Sequence, residues 1–225
     1  MHILYSIVEF FTRGGIFMLP ILFVGALGAA IALERCITLT RMGGRNRSAW
    51  STLDPVLMNG EFDKAREMAG KDDTAISRLI SVGLSLQGAV RRRDDVKTAM
   101  QECMTGIMPQ LEKRTHYLAT IANIATLLGL LGTVSGLIHA FSAVATVNPA
   151  EKANLLSASI SEAMNCTAFG LMVAVPFLAL HSMLQTKTVQ LIDHLEAASI
   201  KFLTVLTNRQ PTRQTHLELA KVANG

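Results

Sequence analysis

The sequence predicts an all-α polytopic membrane protein with three transmembrane helices. Two observations carry that prediction. The 225 residues are 50% hydrophobic and only 17% charged, too apolar for an ordinary cytosolic domain. The apolar residues also gather into three long, nearly charge-free stretches, and the charged segment between the first two shows helical rather than alternating periodicity. The formal charge of +4 is modest and its Lys and Arg residues are clustered by region, so it bears on topology rather than on nucleic acid. Aromatic content of 5%, with no aromatic-interleaved basic stripe, further weakens a nucleic-acid reading. Cys36, Cys103 and Cys166 match no metal-ligand or redox spacing and read as small apolar fillers.

Residues 1–14 form an N-terminal segment before the first span, 15–34. Gly15 to Leu33 has no charge and is just long enough, at about 1.5 Å per residue, to cross the hydrocarbon. A signal peptide is the rival reading. An uncleaved anchor is favoured because the basic residues Arg35, Arg41, Arg45 and Arg47 follow the apolar run instead of preceding it. Pro20 lies near the start of this helix, where a missing N–H costs little.

Residues 35–117 read as a helical cytoplasmic region. Phe62, Ala65, Met68 and Ala69 fall on one helical face, as do Ile76, Leu79, Ile80, Gly83 and Leu84. Asn59-Gly60 and Gly70 through Asp73 are the expected turns, and Asp94 and Asp95 the expected caps of a helix that runs from Val96 into span two with a kink at Pro109. Span two covers 118–144, a hairpin around Pro149-Ala150-Glu151 covers 145–154, and span three covers 155–184. Residues 185–225 form a helical extension and a polar tail. Lys and Arg crowd the segment after span one and the region after span three, while the remaining two loops hold only Arg13 and Lys152. The positive-inside rule therefore places the N-terminus and the hairpin outside and the C-terminus in the cytoplasm.

Thr133 and Thr167 lie equally far from residue 150, so a hairpin at that point brings both hydroxyls to similar depth. The competing reading is that each bonds back to its own helix at the carbonyl four residues earlier. Ser157, Ser159, Ser161, Glu162 and Asn165 make the outer half of span three polar, which suits a water-accessible lumen better than lipid. Glu162 is the acid expected at membrane depth and His139 its candidate partner. At 100° per residue, however, Glu162 and Thr167 do not share a face, so Glu162 can equally mark a subunit contact or the outer mouth. Gly129, Gly132 and Gly136, together with Gly170, are candidate packing positions, since small residues let membrane helices approach closely. Glycine is also simply common in membrane helices. No nucleophile-base spacing or phosphate-binding glycine loop is present, and neither an enzyme nor a bound cofactor or metal is expected.

Two blocks, LLGLLGTVSGLIHAF from Leu127 to Phe141 and ISEAMNCTAFGLMVAVP from Ile160 to Pro176, resemble the signature of the MotA/TolQ/ExbB proton-channel family. The three-span layout is closest to the TolQ and ExbB branch. The resemblance implies a pentamer around a dimer of TolR- or ExbD-like single-span partners, each bringing a membrane aspartate, with Thr133 and Thr167 lining the ion path. It also places Glu162 at the family's span-three glutamate. Many members have proline where this chain has Thr126. The expected function is an ion-conducting subunit of an inner-membrane motor, with protons favoured over sodium ions as the transported species. The alternative is a non-conducting membrane scaffold.

Overall fold

The computed structural model describes residues 15–86, 93–145 and 147–209. The expected N-terminal segment 1–14, two of the basic residues in the segment after span one (Arg91 and Arg92), and the tail beyond 209 lie outside them. The described residues build six helices and no strand. These are α1 (Met18–Asn59), α2 (Phe62–Lys71), α3 (Ala75–Leu86), α4 (Arg93–Glu112), α5 (Thr115–Val144) and α6 (Pro149–Arg209). Three apolar stretches, in α1, in 94–144 and in α6, are long enough to cross a membrane.

The described residues of Met1–Cys36 and Arg114–Gln185 form one compact unit, and those of Ile37–Lys113 and Thr186–Gly225 form a second. In the first unit, Met18, Ile21, Cys166 and Phe169 form a buried cluster against Phe17, Leu128 and Val173. Gly28 sits close against Ile121 and Phe177, where a Cβ would come within 2.8 Å of each. Much of the remaining surface is apolar and exposed, including Phe23, Leu33, Leu127, Phe141 and Val175. In water such a surface is a liability; in lipid it is the solvated face.

The second unit is built like a soluble helical bundle. Leu39, Asn46, Leu53 and Leu57 recur along α1 at helical spacing and are all buried. That burial carries the helix on through Gly43-Gly44, where intrinsic propensity is poor by about 1 kcal/mol per glycine. Asn46 ties α1 to α3: its Nδ2 donates to the Met42 carbonyl at 3.0 Å, and its Oδ1 accepts from the Ile76 amide at 3.0 Å. Helix α3 buries Ile76, Leu79, Ile80, Gly83 and Leu84, the face marked by their spacing. Phe202 of α6 is fully buried against Gly83.

The turns fall close to the expected places, with two differences. Gly60 adopts φ +80°, and the bonds from the Gly60 amide to Leu57 and the Glu61 amide to Val56 close α1 with a paired C-terminal cap. Gly70, by contrast, lies inside α2, and the second turn runs through Asp72 to Thr74. Asp94 and Asp95 occupy the first turn of α4 rather than preceding it; there they still face the positive end of the helix dipole.

The helix expected to run unbroken from Val96 into span two is interrupted. The helix passes Pro109, with the Lys113 amide still donating to the Pro109 carbonyl at 3.0 Å, and breaks at Arg114. Arg114 adopts a left-handed φ of 63°. A left-handed residue cannot continue a right-handed helix, so α4 and α5 are separate helices. At the other end of α5, the connection to α6 is shorter than the expected hairpin. Pro149 is already the first residue of α6, a position that suits its fixed φ and missing N–H.

Candidate functional site in the paired spans

Span two approaches span three through its glycines. Gly129, Gly132 and Gly136 recur at i, i+3 and i+7, which places them on one face of α5. A Cβ at Gly129 would lie 3.2 Å from the Thr167 Cα and 3.3 Å from the Gly170 Cα; Gly132 meets Cys166 and Gly136 meets Ala163. From the other side, a Cβ at Gly170 would lie 2.7 Å from the Ala125 carbonyl oxygen. Gly129 and Gly170 thus meet backbone to backbone, and Gly132 and Gly136 continue the seam against the small residues Cys166 and Ala163.

These contacts set the antiparallel register. The residue level with Thr133 falls at about 165, so Thr167 lies about 3 Å from that level along the axis. The two hydroxyls make different bonds. Thr167 Oγ1 donates across the seam to the Gly129 carbonyl at 2.8 Å, whereas Thr133 Oγ1 donates within its own helix to the Leu130 carbonyl at 2.6 Å. In the helical pattern the Gly129 carbonyl also accepts from the Thr133 amide, so one oxygen links both threonines. Since each hydroxyl proton is committed to a carbonyl, the threonines present lone pairs: they can accept from a protonated group or ligate a cation.

The other candidates stand apart from this pair. Glu162 reaches the start of α1, where its carboxylate lies against Gly15; Gly15 has φ +74° and its carbonyl accepts from the Met18 amide. The free amides and dipole of a helix N-terminus favour an anion there. His139 is exposed, Asn165 is half-buried, and neither makes a hydrogen bond or ion pair among the described residues. Glu162 and His139 are therefore not joined. No cluster of three or more metal-ligating side chains occurs among the described residues.

A charged clamp at the opposite end of the spans escaped the sequence reading. Arg114 Nη1 bonds both carboxylate oxygens of Glu34 at 2.7 and 2.8 Å, and Arg35 Nε donates to Thr115 Oγ1 at 3.3 Å. Burial lowers the pKa of the Arg35 guanidinium, with Glu34 opposing the shift, yet an arginine remains charged. Adjacent charges closing span one and opening span two were the available signal, but 80 residues separate the partners.

Three apolar crossings, with two hydroxyls on a glycine seam inside them, define a polytopic membrane protein with a polar locus in its spans. The sequence profile of the MotA/TolQ/ExbB proton channel family matches residues 71–197, and the chain belongs to that family. Among its relatives is a Synechocystis sp. protein described as ExbB-like 3, 30% identical over 166 residues, which covers 72% of this chain and 77% of the relative. An ExbB homologue of Methanothermobacter thermautotrophicus is 27% identical over 85% of this chain and 67% of its own length. The Tol-Pal system protein TolQ of Pseudomonas aeruginosa is 26% identical over 77% of this chain and 69% of its own.

Proposed function

We propose that this chain is the ion-conducting subunit of an energy-transducing motor in a bacterial inner membrane, with its N-terminus periplasmic and its C-terminus cytoplasmic. Five copies surround a dimer of TolR- or ExbD-like partners whose membrane aspartate carries the ion, most simply a proton. One observation carries this reading: Thr133 and Thr167 sit at similar depth with their hydroxyl protons spent on carbonyls. Acceptors of this kind can receive a hydrogen bond from a protonated carboxyl or hold a cation, but they do not themselves store a charge. The acid in these spans, Glu162, is turned to the start of α1, so the carrier comes from the partner. Each ion crossing about 100 mV releases about 2.3 kcal/mol, and a few transfers suffice for a cyclic conformational step.

The test is a Thr133→Val/Thr167→Val double substitution, which preserves shape and removes both oxygens. The complex is expected to assemble normally with its partner and to lose ion flux in reconstituted vesicles; wild-type flux would sink the pore assignment. The glycine seam favours a second reading, a non-conducting scaffold. That reading requires no flux from the wild-type complex and no acidic membrane residue in the co-purified partner.

A further inference from the structure

We infer that Thr126 and Asn123 continue the ion path from Thr133 toward the Thr115 end of span two. The inference rests on the conducting role proposed above and extends it to residues that lie outside the threonine pair. An ion leaving the level of Thr133 in that direction must pass the half of the spans where α1 and α6 offer no polar side chain. Gly25 to Leu33 in α1 and Ala168 to Phe177 in α6 are entirely apolar or glycine. Between Ile121 and Gly132, α5 carries two polar residues, Asn123 and Thr126.

Their placement makes them a continuation. Thr126 precedes Thr133 by seven residues, which puts it on the same stripe of α5, rotated by about 20° and about 10.5 Å further along the axis. Asn123 is one turn beyond Thr126. Both are exposed in the single chain. Thr126 Oγ1 donates to the Ala122 carbonyl at 3.1 Å, so, like Thr133, it presents only lone pairs to its surroundings. Asn123 makes no hydrogen bond among the described residues. An amide at membrane depth without a partner is costly against lipid, and a water-lined passage removes that cost. The step from Thr133 to Thr126 is too long for a direct hydrogen bond, so water joins the two stations past Leu130.

The experiment uses the complex purified with its partner and reconstituted into vesicles under a potassium-diffusion potential, with trapped dyes reporting H+ or Na+. Flux is normalised to assembled complex. Thr126→Val is expected to lower flux about ten-fold, the size of one lost hydrogen bond. Thr126→Ser should restore it, and Asn123→Leu should lower it similarly. Thr126→Ala gives the same answer should valine disturb packing. Wild-type flux per complex from both Thr126→Val and Asn123→Leu, beside a silent Thr133→Val/Thr167→Val complex, would overturn the inference and leave the conducting role standing. A reduced yield of complex with normal flux per complex would also overturn it, because that is the signature of a subunit contact. Flux that survives Thr133→Val/Thr167→Val would instead count against the threonine pore.

Discussion

At the scale of single residues, the seam between spans two and three is decided by what a methyl group would strike. At Gly170 it would strike the Ala125 carbonyl and Gly129 Cα, at 2.7 and 3.0 Å, and backbone cannot rotate out of the way. At Gly25 it would meet only the Val173 side chain, with Cγ1 at 3.2 Å. Gly170→Ala should therefore lower the melting temperature of the detergent-solubilised complex clearly, while Gly25→Ala should leave it almost unchanged; equal effects would show that the seam is not tight. Thr167 adds a cross-seam bond worth about 1 kcal/mol, so Thr167→Val should cost more stability than Thr133→Val, whose bond stays within its own helix. A third residue-scale expectation concerns Cys103, whose thiol pKa is raised by burial, with Arg78 opposing. A raised pKa means less thiolate at a given pH, so maleimide labelling of Cys103 should reach half its maximal rate at a higher pH than a free-thiol control.

At the scale of elements, α4 gives way to α5 at one left-handed residue, Arg114, which also pairs with Glu34. Arg114 bears the left-handed cost of about 1 kcal/mol, and its half-exposed pair with Glu34 returns about as much or less. Arg114→Ala should thus destabilise by up to about 1 kcal/mol, since it keeps the strain and loses the pair. Arg114→Gly should recover that loss by relaxing the backbone. Thermal melts at low and high salt separate the two: the Ala defect should shrink in high salt, where the pair is screened in the wild type as well. The sequence drew attention to Pro109 because proline is the obvious breaker. The residue where the helix actually breaks carries no comparable local signal, and its partner Glu34 lies 80 positions away.

At the scale of the whole molecule, one chain serves two solvents. The first unit leaves apolar side chains such as Phe23 and Val175 exposed, while the second buries Leu79, Ile80, Met100 and Phe202 in an ordinary core. Phe202→Ala should cost about 3–5 kcal/mol, as expected for emptying a fully buried aromatic site. Denaturant unfolding followed by Trp50, which lies in the same unit, would register that loss.

The sequence by itself determined the three crossings, the faces of the short helices and the two blocks that mark the family. These are local properties: the length of an apolar run, a 3.6-residue period, and glycines beside a threonine. It also brought Thr133 and Thr167 to similar depth, because antiparallel helices joined by a short turn have few possible registers. The tertiary structure alone decided what the hydroxyls do. Thr167 could have bonded its own helix as Thr133 does; it reaches Gly129 because the absence of side chains at Gly129 and Gly170 lets the two backbones close. It likewise turned Glu162 toward Gly15 and paired Glu34 with Arg114. Such contacts join residues far apart in sequence, and they exist only once packing has brought the helices into register.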